Sequence, residues 1–271
     1  MNACIVLTRP EGRNEALAAR LESAGHRVLC LPALDISALP ADGPAIRPPG
    51  DYDLVVFVSG NAVRFYLDRL SSLGMAAEWP RHTLAATVGA ASAERLRRAA
   101  AIPRTNILHP DPSLQNQDSE ALWSLLAPRA TSIRRALIVR GVSGREWLGA
   151  RLEQAGAQVE RLAVYDRKPA VWSAEQGGRL AAALAGPASC LFLLTSNESL
   201  GAVHANIVRM GMVERWAQSR FVVIHERVAS RLQSILRASG KVEPPMVKLS
   251  RPTDDALFEA LSGAASLRVG S

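Results

Sequence analysis

Residues 136–169, ALIVRGVSGREWLGARLEQAGAQVERLAVYDRKP, read as strand, glycine-bearing turn, helix and second strand, and this unit restricts the chain to folds built on a parallel sheet. Residues 136–139 are a short run rich in branched apolar side chains, which fits a strand buried on both faces. Arg140-Gly141-Val142-Ser143-Gly144-Arg145 turns the chain, with glycines where positive φ is useful and Ser143 placed to cap the next helix. Trp147, Leu148, Leu152 and Ala155 recur at helical spacing, and Gly156 stands where a left-handed C-terminal cap belongs. Residues 159–165 predict the second strand, ended by Asp166-Arg167-Lys168-Pro169, whose proline breaks the sheet pattern. The turn of such a unit lies at the carboxyl edge of a sheet, where free amides at a helix N-terminus favour an anion. Two readings of Arg140 and Arg145 stand side by side. They add charge to an anion site, or they are solvated or paired with carboxylates while the glycines close the turn.

The same rhythm runs through the rest of the chain. Residues 4–7 predict a strand, with a helix after Thr8-Arg9-Pro10-Glu11-Gly12 that Pro10 and Glu11 suit as its first turn, and then a strand over 27–31. A proline-rich passage from Pro32 to Gly50 reads as a crossing between domains. Strands at 54–58, 83–88 and 106–109 alternate with helices at 63–73, 93–100 and 119–126. Beyond Pro169, strands at 190–194, 221–224 and 246–249 alternate with helices at 173–184, 199–210, 228–236 and 254–261. Strands alternating with helices argue for doubly wound parallel sheets, and a small hydroxyl or glycine recurs at the turns: Ser59, Gly89 with Ser92, Gly141 with Ser143, and Ser196. Two such sheets facing each other would aim amides and hydroxyls into one cleft, which suits a ligand with many carboxylates.

Composition narrows the function classes. A chain of 271 residues, 48% hydrophobic, can bury a sizeable core and favours two domains. No apolar run is long enough to span a bilayer and the first residues enter a strand without a leader, so a soluble, cytoplasmic protein with no membrane partner is expected. Cys4, Cys30 and Cys190 all fall in predicted strands and are expected to be buried thiols. The net charge of +7 attracts polyanions, but aromatic content is only 5% and the basic residues are spread over most of the predicted helices, which disfavours nucleic acid. Neither Gly-x-Gly-x-x-Gly nor a phosphate loop follows a predicted strand, and the five histidines show no metal-ligand spacing. A Gly-x-Ser-x-Gly elbow is missing too. Chemistry without a cofactor, a metal or a covalent nucleophile is expected.

Leu7-Thr8-Arg9-Pro10, Arg140-Gly141 with Gly144-Arg145-Glu146, Val164-Tyr165-Asp166-Arg167 and Leu194-Thr195-Ser196-Asn197-Glu198 together resemble the uroporphyrinogen-III synthases, and the resemblance runs from Cys4 to about Leu261. Glu226-Arg227 after a late strand is similar to the proteobacterial branch. The resemblance implies two flavodoxin-like α/β domains facing a cleft, joined by a two-strand connection, with residues 1–34 and 169–271 as a discontinuous first domain and 35–168 inserted. It implies a cofactor-free lyase, working as a monomer, that closes hydroxymethylbilane, a linear polycarboxylate, into uroporphyrinogen III with inversion of ring D. The route it implies runs through an azafulvene and a spirocyclic intermediate, so that the enzyme's task is largely positioning.

Tyr165 matches the family's cleft tyrosine, and the resemblance implies that it helps the hydroxyl leave. Ser59, Ser92 and Ser196 match cleft-lining positions. Arg9, Asn61, Gly89, Arg140, Gly141, Arg145, Asn197 and Arg227 complete the expected substrate-binding set. His225-Glu226-Arg227-Val228 departs from members that carry a glycine and threonines there, so a hydroxyl contact does not carry over, and Ser92 replaces a threonine while keeping the hydroxyl. The alternative is a two-domain protein that closes on an acidic small molecule without chemistry.

Overall fold

The computed structural model describes residues 3–40, 46–75, 79–99, 102–111, 118–186, 190–240 and 246–266. The chain divides into two compact units, one of Met1–Ile36 with Lys168–Ser271 and one of Ser37–Arg167.

The first unit opens with β1 (Cys4–Leu7), four buried apolar residues in a row, as a strand covered on both faces requires. α1 (Glu15–Ser23) starts later than Pro10 and Glu11 suggest. Gly12 takes φ 76° and the Arg13 amide donates to Pro10 O, so residues 10–13 close a separate turn. The Glu15 carboxylate then accepts from the Gly12 and Asn14 amides, each at 3.0 Å, donors that the helix would leave open. Gly25, at φ 82°, ends the helix as expected, and the His26 amide returns to Leu21 O at 3.0 Å. β2 (Arg27–Cys30) completes a βαβ unit. β3 (Leu34–Ala38) lies inside the proline-rich passage that the sequence offers only as a crossing.

The second unit continues with β4 (Leu54–Phe57), α2 (Gly60–Ser72), β5 (Leu84–Thr87), α3 (Ala90–Ala99), β6 (Ile107–Leu108), α4 (Ser119–Leu126), β7 (Arg135–Gly141), α5 (Trp147–Gln154) and β8 (Gln158–Pro169). Among the described residues these strands and β3 form a sheet in the order β3-β8-β7-β4-β5-β6. β4 pairs with both β5 and β7 in parallel, Leu54 standing opposite Leu84 on one side and Ala136 on the other. One face of the sheet buries Leu54, Val56, Ala136 and Ile138 against Leu122, Leu126, Leu148 and Leu152 of the helices. Each of these leucine, isoleucine and valine side chains contributes about 1.5–3 kcal/mol by leaving water. Two local expectations fail here. β8 runs on through the charged segment to Pro169, because the missing N–H falls on its last residue, where no further ladder bond is due. Ser143 does not cap α5, whose N-cap position is Glu146 without a side-chain bond.

The chain returns to the first unit with α6 (Ala174–Ala185), β9 (Cys190–Leu194), α7 (Asn197–Arg209), the short α8 (Val213–Trp216), β10 (Arg220–Val223), α9 (Glu226–Ala238), β11 (Val247–Leu249) and α10 (Asp254–Ser266). The sheet order is β11-β10-β9-β1-β2, and each neighbouring pair runs parallel. Alternation along β1 sends Cys4 and Val6 to a layer containing Phe192, Phe221, Trp216 and Leu200, and Ile5 and Leu7 to a layer with Leu17, Leu191, Val222 and Leu261. Cys4 and Cys190 are buried thiols opposite each other in register. Cys30 is exposed, against expectation, because it ends β2 on the outer edge of the sheet.

No described helix is long and apolar enough to cross a membrane.

Candidate functional site

In an open parallel sheet the strand order reverses at one place, and the crevice at the carboxyl ends of the two strands flanking it is where ligands bind. In the second unit that place lies between β4 and β7, since β4 leads to β5 and β6 on one side and β7 to β8 on the other. Ser59 follows β4, Gly141 ends β7 and Tyr165 lies on the neighbouring β8, so the topology alone gathers three of the expected residues.

Ser59 is extended at φ −163°, ψ 165° and caps α2, its Oγ accepting from the Ala62 amide at 3.1 Å. The same Oγ lies 3.1 Å from the Tyr165 hydroxyl. The β7–β8 register slips at this point: Arg140 pairs with Ala163 but Gly141 with Tyr165, so the bulge re-aims the tyrosine. The Val142 amide holds Tyr165 O at 3.0 Å. A Cβ on Gly141 would stand 2.8 Å from Cε2 of the tyrosine ring, which is why the position carries glycine. Phe65 of α2 stacks on the ring with centroids 5.8 Å apart at 25°. The residue is buried at 7% exposure, yet its hydroxyl meets another side chain's polar atom.

Gly89 and Ser92 belong to the start of α3, which begins at Ala90 rather than after Ser92. Gly89 O accepts from the Thr87 hydroxyl and from the Ser92 and Ala93 amides. Ser92 and Arg95 adjoin the first turn of α2. A Cβ on Gly60 would lie 3.4 Å from Arg95 Nε and 3.8 Å from Ser92 Oγ. Asn61, half-buried, is the second residue of α2.

The two arginines of the turn differ. Arg140 is buried; its Nε donates to Gly141 O at 3.2 Å and its Nη1 is ion-paired with Glu146. The other Glu146 oxygen takes Arg161 Nε at 2.7 Å. Arg140 first, and Arg161 after it, hold the Glu146 carboxyl below its ordinary value. Arg145 is exposed and bidentate on Glu120.

In the first unit the order reverses between β1 and β9, where Arg9 and Ser196 follow the two strands. The buried Thr8 hydroxyl ties them by donating to Leu193 O. Arg9 is buried, its Nη1 donating to Asp254 Oδ1 at 2.6 Å, while Nε and Nη2 find no partner among the described residues. Ser196 caps α7 in a reciprocal box with Ser199, at 2.9 and 3.0 Å. Asn197 opens that helix with its Oδ1 buried and unpartnered among the described residues. His225 caps α9, its Nδ1 accepting from the Arg227 amide at 3.1 Å, and the Arg227 side chain is exposed. No ion pair joins Glu226 to Arg227 among the described residues, and no group of three or more described His, Cys, Asp or Glu residues is placed to hold a metal ion.

The sequence places Phe65 on the apolar face of a predicted helix, Glu146 only within a motif, and gives no sign of Arg95. Helical spacing shows that Phe65 points inward. It does not show that a tyrosine from β8 receives it.

Two units, each with a parallel sheet wound in both directions and with a helix-capping serine and a buried arginine beside its order reversal, define a doubly wound α/β protein. The family model for uroporphyrinogen-III synthase HemD matches residues 15–238, and the chain belongs to that family. It is 28% identical over 262 residues to the uroporphyrinogen-III synthase of Escherichia coli (strain K12), covering 95% of this chain and 99% of that one. Against the Salmonella typhimurium enzyme of the same name it is 32% identical over 166 residues, which span 60% of this chain and 64% of that protein. The uroporphyrinogen-III synthetase structure from Helicobacter pylori 26695 matches with a TM-score of 0.58 at 17% identity, over 99% of this chain and 100% of that one. A mutant uroporphyrinogen III synthase from Thermus thermophilus gives 0.53 at 20% identity, over 97% and 99%. At such identities the structural likeness bears on the fold.

Proposed function

We propose that the chain is a uroporphyrinogen-III synthase, a cofactor-free lyase that closes hydroxymethylbilane into uroporphyrinogen III with inversion of ring D and release of water. The observation that supports this most is the Tyr165 hydroxyl 3.1 Å from Ser59 Oγ beside the order reversal of the second unit, in a chain of this family. Tyr165 donates a hydrogen bond to the departing hydroxyl oxygen, so that the C–O bond breaks to give the azafulvene. Ring D attacks it, and the spirocyclic intermediate reopens and recloses inverted. Most of the barrier is met by folding the substrate into the right approach.

The substrate's carboxylates need donors, and the expected ones are unequal. Arg9 carries two buried guanidinium nitrogens that no described residue engages, and Asn61, Gly89 and Ser92 lie at helix starts, where open amides favour an anion. Asn197 and Ser196 occupy the equivalent place on α7, and Arg227 that on α9. Arg140 and Gly141 shape the wall beside Tyr165, while Arg145 meets substrate only by leaving Glu120. The same reading takes residues 1–34 with 169–271 and residues 35–168 as the two domains of a monomeric, cytoplasmic enzyme with no nucleic-acid partner.

Incubation with freshly prepared hydroxymethylbilane, followed by separation of the uroporphyrinogen isomers, tests it. Isomer III as the dominant product is expected. Product dominated by isomer I, as in spontaneous closure, would leave only an acidic-ligand binding protein.

A further inference from the structure

We propose that Phe65 is a positioning residue for the Tyr165 hydroxyl. The inference rests on the reading that this hydroxyl acts on the substrate. A phenol ring attached to a strand can swing about its side-chain torsions, and a hydrogen-bond donor that swings is a poor one. Here the ring is held at three places. Gly141 forms one wall, so close that a methyl group there would come within 2.9 Å of Cζ and 3.2 Å of the hydroxyl oxygen. Phe65 stacks on the ring at 5.8 Å and 25°. Ser59 meets the hydroxyl at 3.1 Å, and its own Oγ is fixed by the Ala62 amide.

Two of those three places belong to the start of one helix. Ser59 caps α2 and Phe65 projects from its second turn, so α2 grips the tyrosine at the ring and at the oxygen together. Phe65 is itself braced, because the Arg64 guanidinium sits 4.0 Å from its ring centroid. Removing the phenyl group opens the stacked side of the Tyr165 ring and leaves it held only by the Gly141 wall and by Ser59 at the hydroxyl. The loss is therefore expected in the chemical step and not in substrate affinity.

Steady-state kinetics with hydroxymethylbilane decide the matter on four variants: Phe65→Ala, Phe65→Tyr, Tyr165→Phe, and Phe65→Ala combined with Tyr165→Phe. We expect Phe65→Ala to lower kcat roughly threefold to tenfold, the range a single aromatic pair supports, with KM within roughly twofold. Phe65→Tyr keeps the stack and restores kcat. Once Tyr165→Phe has removed the hydroxyl, Phe65→Ala costs less than about twofold more, since nothing remains to be aimed. If Tyr165→Phe lowers kcat but the Phe65→Ala loss is undiminished in the double variant, the positioning role falls and the role of Tyr165 stands. If Tyr165→Phe is as fast as the parent, the tyrosine reading falls and takes the positioning role with it. Should Phe65→Ala melt at a much lower temperature, Phe65→Leu, which keeps apolar volume without a ring, replaces it in the same comparison.

Discussion

Arg9 Nη1 is bound to Asp254 Oδ1 at 2.6 Å, joining the turn after β1 to the first residue of α10. The guanidinium is nearly closed off, with 8% of its side chain exposed, whereas the aspartate is 44% exposed. Removing the carboxylate leaves a cation in a place that water barely reaches, and it also removes an acidic residue from the first turn of a helix. Because the aspartate is half in water, only part of the usual cost applies. Asp254→Asn is expected to lower stability by about 1–2 kcal/mol, read as a lower urea midpoint at unchanged slope. An unmoved midpoint would show that the pair adds nothing.

Ser59 and Ser173 play the same part on different helices, each accepting an amide of the first turn, at 3.1 and 3.2 Å. Only Ser59 also meets Tyr165. Each serine-to-alanine change is expected to cost about 1 kcal/mol of stability. Ser59→Ala alone should lower turnover, by roughly fivefold to twentyfold, below the full contribution of one acid group. Equal turnover in the two variants would separate the serine from the chemistry.

Gly141→Ala puts a methyl group 2.8 Å from the Tyr165 ring, and one of the two must yield. The backbone of β7 is tied into the sheet, so the ring moves. The expected cost is about 1–3 kcal/mol, with a larger fall in kcat than in substrate affinity. A variant with the parent's melting temperature and kcat would mean that the ring shifts without consequence.

Burial pushes the Tyr66 hydroxyl above its ordinary value of 10.0, and burial together with the Glu160 carboxylate that accepts its hydrogen bond does the same to Tyr52. Both hydroxyls stay protonated in the folded chain while the unfolded chain ionises. The unfolded state then binds fewer protons, so stability is fully present below about pH 10 and falls as the pH rises towards the raised values. Urea midpoints between roughly pH 8 and 11 should show this decline, and Tyr66→Phe should flatten it. A decline of the same slope in Tyr66→Phe would assign it to other groups.

Much of the fold is legible in the sequence because parallel strands buried on both faces must be apolar runs. Cys4–Leu7, Leu54–Phe57 and Cys190–Leu194 all announce themselves in this way, and the serines that follow two of them mark helix starts. β3 escapes because it is an edge strand with a single buried residue, Leu34, set among prolines. α8 is too short to carry a period. The true start of α1 depends on the positive φ of Gly12, a backbone choice that glycine permits but does not dictate. In the candidate site, Tyr165, Ser59 and Gly141 are reachable from motif positions at strand ends. The strand order brings them to one edge, but the slip between β7 and β8 that re-aims the tyrosine is encoded by no local pattern in either strand. The partners of Arg140 and Arg145 are equally hidden, since Glu146 and Glu120 become neighbours only once the turn has closed.

β1 stands between β9 and β2, although β9 is made long after it. A ribosome that has released Cys4–Leu7 must synthesise all of Ser37–Arg167 before Cys190–Leu194 exists to flank it. The contiguous unit can therefore condense on the nascent chain while the opening strand waits with one side bare. β1 leaves the ribosome with β2 close behind it, and its other edge is filled only when Cys190–Leu194 arrives.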